Sequence, residues 1–344
     1  MSVRRMRTMI GLASLALVAA AVGASVATSG AGAAPQVTVR AAFFSTQATN
    51  SYNEAEYRGI QVEAKALHLP SVTLFDGQFN AQKQYSQMQD AIASGKFNAF
   101  IVDPASGLAL IPVVQQAVAK GIKVVSLLSN ISKNVDSMTP AVKGVTFIGT
   151  SFTENGDAIG KLIIEGCKNI NPCKVAYLAG SLKQTTEEYR LKAALATAKK
   201  APNVQIVDEI EAGFDVASGQ TAMQDVLTAH SDISLIASSA NQAITGALTV
   251  LKSHGLYGKV KVVSNGASID QVPLIRSGII VGAPVYLPVT EGKFGLKYAY
   301  EALHGKKVPA SVDIAKLSPV GQIADKASLS TPAGKKFKGE IPAT

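Results

Sequence analysis

The sequence predicts an α/β protein made of two doubly wound parallel-sheet lobes, and three observations carry that expectation. From residue 37 onward, short β-branched apolar runs alternate with amphipathic stretches at a nearly constant interval. Most of the runs are apolar at almost every position, as strands buried on both faces are. Such runs are too numerous for one sheet of ordinary size, so the chain is expected to divide near Thr150.

Residues 1–33 stand apart from that pattern and read as a signal peptide. Arg4, Arg5 and Arg7 give a positive start, residues 9–24 are uncharged and largely apolar, and Ala31-Gly32-Ala33 supplies small residues for a signal peptidase. The apolar run is shorter than the ~20 residues of a bilayer span and is diluted by Gly11, Ser14 and Gly23, which favours cleavage over anchoring. The Arg4-Arg5 pair leaves the twin-arginine export route open beside the general one. No cysteine lies near the cleavage region. The mature chain is therefore expected outside the cytoplasm, periplasmic or secreted, and not lipid-anchored.

Strands are expected over 37–44, 72–75, 99–102, 124–128, 145–148, 175–178, 204–211, 235–238, 260–263 and 279–285. Helices are expected between them, among others over 81–94, 108–119, 154–170, 217–230 and 240–254. Gly95, Gly121 and Gly255 fall just past the last turn of three of these helices, where a glycine stops a helix at little cost. A helix over 288–304 and an extended segment around 312–317 follow. The tail 324–344, rich in Lys, Ser, Thr and Pro, is expected to be loosely held.

Cys167 and Cys173 frame Lys-Asn-Ile-Asn-Pro, a turn-rich connection that can bring their Cα atoms within disulfide range. In an oxidising compartment a bridge is favoured, with two buried thiols as the alternative. No histidine lies near either sulfur, which argues against a metal site.

Composition narrows the function. The 33 basic and 24 acidic residues give a formal charge of +9, and loss of the three leader arginines leaves +6. That surplus on a long chain, with no basic stripe interleaved with aromatics, is no nucleic-acid footprint. The mature chain has no glycine-rich phosphate loop, nucleophile elbow or zinc-type histidine pair. His68, His230, His254 and His304 all fall near expected helix C-termini, where an imidazolium favours the helix dipole. Asp103 has no second carboxylate at a defined spacing for acid-base work. Neither enzyme chemistry nor a cofactor is expected.

In open α/β sheets ligands bind beyond the carboxyl ends of the strands. Here those positions, the segments 45–52, 76–80, 103–106, 129–130, 150–151, 180–190, 214–215, 238–242 and 265–268 with Tyr286, are dominated by amides, hydroxyls and aromatics. A polar cleft with aromatic walls suits a small polyhydroxylated ligand.

The whole pattern from 37 to about 323 resembles the type I periplasmic binding proteins of the ribose- and galactose-binding kind, the extracytoplasmic solute receptors of ABC transporters. The resemblance is carried by Asn50-Ser51-Tyr52 after the first strand, by Asp103-Pro104-Ala105-Ser106 after the third, and by Gly121-Ile122-Lys123-Val124-Val125. Glu188-Tyr189-Arg190, Gly213-Phe214-Asp215 with Leu227-Thr228-Ala229-His230 downstream, and Leu287-Pro288 add to it. It implies a three-segment hinge with crossings near 150–151, 286–287 and 312–313. The N-terminal lobe would then be 36–150 plus 287–312, and the C-terminal lobe 151–286 plus 313–323. It also implies a monomer that closes on its ligand and delivers it to an ABC permease. Regulators that share this fold carry a DNA-binding helix pair where this chain has an export signal.

At the ligand the sequence departs from that family. Its sugar receptors clamp hydroxyls with an aspartate-arginine pair after the fourth strand and an aspartate after the ninth; here those places read Leu128-Ser129-Asn130 and Asn265-Gly266. An asparagine-aspartate after Ser238 reads Ala240-Asn241, and the glutamine of the second crossing reads Tyr286. Asn50, Tyr52, Ser151, Arg190 and Phe214 are retained. Asn50, Asp103, Ser129, Asn130, Ser151, Arg190, Asn241 and Asn265 are thus the candidate hydrogen-bonding residues, with Tyr52, Phe214 and Tyr286 as stacking surfaces. Several have a plainer alternative: Arg190 paired with Glu187 at its helix start, Tyr52 and Phe214 as packing, Asn50 as a turn residue, Asp103 as holding its Pro-containing turn, and Asn241 and Asn265 as caps. The expected ligand is a sugar or polyol, with a less hydroxylated or small anionic molecule held by Arg190 as the variant. A receptor for a membrane signalling partner is the rival role.

Overall fold

Alternation of buried strands with amphipathic helices gives two sheets in the computed structural model, which describes residues 37–343. The expected signal peptide, 1–33, lies outside the described residues. The first sheet contains β1 (Ala41–Ser45), β2 (Thr73–Asp76), β3 (Ala99–Val102), β4 (Lys123–Leu128) and β5 (Val145–Gly149), and the second contains β6 (Cys173–Ala179), β7 (Val204–Glu211), β8 (Leu235–Ser238), β9 (Lys261–Val263) and β10 (Gly282–Pro284). β11 (Ser311–Asp313) then joins the first sheet and β12 (Ile323–Asp325) the second. The spatial orders, β2-β1-β3-β4-β5-β11 and β7-β6-β8-β9-β10-β12, are the same doubly wound arrangement twice. Pairing is parallel throughout the two sheets except between β10 and β12.

Helices cover both faces of each sheet. In the first lobe α1 (Ser51–Ala66) packs with α9 (Pro288–Leu303) on one face, and α2 (Ala81–Ser94) with α3 (Gly107–Ala119) on the other. In the second, α4 (Phe152–Gly166) pairs with α5 (Thr185–Ala198), opposite α6 (Val216–Ala229), α7 (Asn241–Ser253) and α8 (Gln271–Ser277). Polar residues at the strand ends start these helices: Asn50, Asn80, Ser106, Ser151 and Asp215 each accept an otherwise orphaned N–H in the first turn. Gly95 stops α2 with φ of +62°. His230, His254 and His304 are C-cap residues, and the last two hold Nδ1 within 3.0 Å of a last-turn carbonyl.

Residues 37–40, expected as strand, precede β1, and two further segments differ from expectation. Residues 279–281 do not extend the tenth strand, because they follow α8, whose Pro273 lies in the first turn, where a missing N–H costs nothing. The extended segment 312–317 is β11 followed by a 3-10 turn, Ile314–Leu317, which packs on β5. The third change of sheet therefore falls after that turn, later than 312–313.

The tail, expected to be loose, is held. β12 pairs with β10, and Leu329, Phe337 and Ile341 are buried at 2%, 6% and 1% exposure. These apolar residues stand singly among lysines and glycines, so average composition hides them. Cys167 and Cys173 form a disulfide in the turn between α4 and β6, with Cα atoms 5.6 Å apart.

α1 and α9 approach closely because each presents a glycine. A Cβ on Gly59 would overlap the Val289 carbonyl oxygen, and one on Gly292 the Glu56 carbonyl oxygen. Gly292→Ala is expected to lower stability by about 1–3 kcal/mol through overpacking, a fall of several degrees in Tm that thermal unfolding would register.

Candidate functional site

Strands in a parallel sheet all end on one edge, and the two lobes turn those edges toward each other. Between them lies a cleft of about 370 Å³, within the roughly 300–1,000 Å³ of small-molecule sites. It is centred where strand order reverses, at β1/β3 and β6/β8, since the segments after those strands line it.

Arg190 organises the second-lobe wall. It sits in the first turns of α5, where Gly156 of α4 lets the α5 backbone close in, and it is 6% exposed. Nη1 donates to Glu187 Oε2 at 2.6 Å, Nε to Asn155 Oδ1 at 2.9 Å and Nη2 to the Tyr286 hydroxyl at 3.3 Å, while the guanidinium lies 5.2 Å from the centroid of the Phe152 ring. The relay continues: Asn155 Nδ2 donates to Asn265 Oδ1 (3.0 Å), and Asn265 Nδ2 to the Ser239 carbonyl (2.8 Å). Each donation fixes the next amide, so Asn265 presents a defined donor and acceptor edge to the cleft. Asn241, at the start of α7, lines the cleft with a buried Nδ2 that has no protein partner. It caps nothing; the cap position is Ala240.

The first-lobe wall is built on acids instead. Asp103, at the end of β3, accepts from Asn53, which also donates to Glu56; the Tyr52 hydroxyl donates to Glu291 at 2.9 Å. Asp103 is 2% exposed and both glutamates are fully buried. Burial, opposed by the Asn53 hydrogen bond, moves Asp103 from 3.8 to about 6. Burial also raises Glu56 and Glu291 well above the usual carboxylate range; the Asp103 charge pushes both in the same direction, whereas the Tyr52 hydroxyl restrains Glu291. Glu56 Oε1 and Glu291 Oε1 have no hydrogen-bond partner, which a neutral acid tolerates far better than a carboxylate.

Aromatic rings close the two ends. Tyr52 meets Tyr286 edge to face at 5.6 Å beside the hinge, and Phe79 stacks on Phe214 across the mouth at 6.2 Å. Asn50 Nδ2 donates to the Phe214 carbonyl and Gln242 Nε2 to Ser51 Oγ, so the lobes are latched together there. Of the five non-glycine residues with φ near +50°, Phe79 and Leu128, the latter ending β4, line the cleft; Gln78 and Ala267 lie in the loops after β2 and β9, and His68 follows α1. Backbone strain of this kind concentrates at ligand-binding sites.

The structure brings together Asn50, Tyr52, Asp103, Ser129, Arg190, Phe214, Asn241, Asn265 and Tyr286 around the cleft. Two candidates are placed elsewhere. Asn130 donates to the carbonyls of Ser137 and Thr139 and so ties its own loop, and Ser151 caps α4 while donating to Asp136. Sequence reasoning missed Phe152, Phe79 as a wall of the mouth, and Ile341 of the tail. Phe152 follows a strand end by only a few residues; Ile341 had no local signal. Among the described residues no three His, Cys, Asp or Glu side chains group to hold a metal ion, and no helix is long and apolar enough to cross a membrane.

Two α/β lobes with three changes of sheet, enclosing a polar, aromatic-ended cleft, define a class of two-lobed solute-binding proteins. The chain belongs to the periplasmic binding protein family, whose domain model matches residues 41–307. It is 26% identical over 255 residues to the ribose import binding protein RbsB of Bacillus subtilis, covering 74% of this chain and 78% of that one. Its fold is also that of an ABC transporter periplasmic solute-binding protein from Actinobacillus succinogenes with bound D-allose, at 20% identity and a TM-score of 0.73, covering 87% of this chain and all of the other. The arabinose ABC transporter binding component of a Shewanella species matches at 22% identity and a TM-score of 0.72, with 87% and 95% coverage.

Two outcomes are expected from this geometry. Arg190→Met should cost about 3–5 kcal/mol by leaving Glu187 buried without its cation, and adding Glu187→Gln should recover part of that loss in a denaturant-unfolding cycle. Because the folded Asp103 binds its proton more tightly than the unfolded chain does, its contribution is present below about pH 4 and is lost as pH rises through about 6. Stability should therefore fall between pH 4 and 6 on this account, and Asp103→Asn should flatten that limb of the Tm-against-pH curve.

Proposed function

We propose that this protein is an extracytoplasmic solute-binding protein that captures a sugar or polyol by lobe closure and delivers it to an ABC transporter permease. The observation that carries the reading is the cleft itself. Unpaired or half-used amide donors and acceptors (Asn241, Asn265), a carboxylate (Asp103) and aromatic rings are held at the strand ends of both lobes. A polyhydroxylated ring needs both donors and acceptors and offers C–H faces to aromatics, which this wall supplies. The ribose, allose and arabinose named for the relatives support the same substrate class.

Arg190 already spends its charge on Glu187, so it offers no unpaired cation to an anionic ligand. The leader supports export, and the mature chain works outside the cytoplasm as a monomer without covalent chemistry. The contacts of Phe79, Asn50 and Gln242 across the mouth supply the closed form that a permease would recognise.

Titration with D-ribose, D-allose, L-arabinose, D-galactose and glycerol tests the proposal. At a hundredfold excess over Kd the bound sugar should add about 2.7 kcal/mol of stability and raise Tm by about 4 °C. Phe214→Ala should weaken the same sugar by about tenfold. No heat and no thermal shift with any member of the panel would overturn the assignment.

A further inference from the structure

The segment after β12 lies beyond the family match, and it returns from the second lobe to the first with a side chain in the cleft. In the second lobe, Arg276 of α8 donates to the carbonyls of Gly334 (2.8 Å) and Phe337 (2.7 Å). Gly339, with φ of +81°, then runs against the backbone after β9, where a Cβ would lie 2.5 Å from the Ala267 carbonyl oxygen. The Ile269 N–H donates to the Ile341 carbonyl at 2.9 Å.

Between these anchors Glu340 reaches the first lobe. Thr290 donates to the two oxygens of its carboxylate, through N–H at 2.9 Å and Oγ1 at 2.6 Å, and Arg58 of α1 donates to its backbone carbonyl at 2.8 Å. Thr290 lies in the first turn of α9, whose N-cap residue Leu287 has no capping side chain. Glu340 supplies that cap from fifty residues away, with its charge at the positive end of the helix dipole. Held from both lobes, Ile341 is 1% exposed and lines the cleft. Its Cδ1 lies against Gly266, where a Cβ would sit 2.6 Å away, beside Tyr286.

We propose that this C-terminal strap determines ligand specificity: Ile341 is the apolar end wall that sets how far a bound ligand extends toward the hinge, and Glu340 is the positioning residue that keeps it there. Ile341 has no donor or acceptor, so a hydroxyl or hydroxymethyl group directed at it loses its water without replacement. The wall therefore selects a ligand that is short or presents C–H at that end. This rests on the sugar-binding reading of the cleft.

Calorimetry of the full chain and its Ile341→Ala, Glu340→Ala and Glu340→Gln variants against D-ribose, L-arabinose, D-allose and D-galactose tests the strap. Ile341→Ala should shift the pentose-to-hexose ratio of affinities about tenfold toward the hexoses. Glu340→Ala should shift it in the same direction, and Glu340→Gln, which still accepts from Thr290, should restore most of the wild-type ratio. An unchanged ratio in Ile341→Ala, whatever the absolute affinities, overturns the proposal. If the wild type binds no sugar, the reading of the cleft fails and amide hydrogen exchange judges the strap. Thr290 and Ile269 amides protected in the wild type and exposed together in Glu340→Ala support it, whereas amides already unprotected in the wild type overturn it.

Discussion

A parallel sheet buries both faces and ends its strands on one edge, and most features of this molecule follow from having two such sheets edge to edge. Burial on both faces requires helices on each side, so the strands are short and apolar and the polar residues are driven to the strand ends. Bringing two such edges together collects those polar residues from both lobes in one place. Closure then removes them from water, and each must find a partner in the protein or in a ligand.

The two walls meet that requirement in different ways. On the second lobe a guanidinium is neutralised by Glu187 and passes hydrogen bonds on through Asn155 and Asn265, so the wall is charged, paired and stiff. On the first lobe three acids share amides and a phenol, and burial raises all three, Asp103 to about 6 and Glu56 and Glu291 well above the usual carboxylate range. A ligand that lies between them meets oriented amides on one side and an acid near its titration point on the other. Hydroxyl groups, which both donate and accept, answer to both walls.

The central strands were legible because a strand buried on both faces has few polar positions: β3 and β8 are buried throughout and coincide with the expected ranges. β7 also coincides, although it is a half-exposed edge strand in which apolar and polar residues mix. Most cleft residues were legible for the same reason, since a polar residue just past such a strand has few other places to be. Position after a strand does not separate ligand contact from local support, however. Asn130 and Ser151 occupy such positions and spend their hydrogen bonds on a loop and a helix cap. The tail misled because its order depends on three scattered apolar side chains and on Arg276, which lies far away in the sequence.

The amino-acid sequence by itself determined the class of fold, the doubling of the sheet and the polar and aromatic character of the strand ends, because hydrophobic periodicity and strand-end composition are local properties. Only the tertiary structure decided which charges are cancelled and where the chain end goes. Arg190 is a free cation or half of a buried pair depending on how its helix seats against α4, and Ile341 is a tail residue or a cleft wall depending on whether Glu340 meets Thr290. The Glu187–Arg190 pair is local and was open in the sequence, but its seating against Gly156 of α4 and the Glu340–Thr290 contact join segments distant in sequence, and no short window along the chain contains both partners of such a contact.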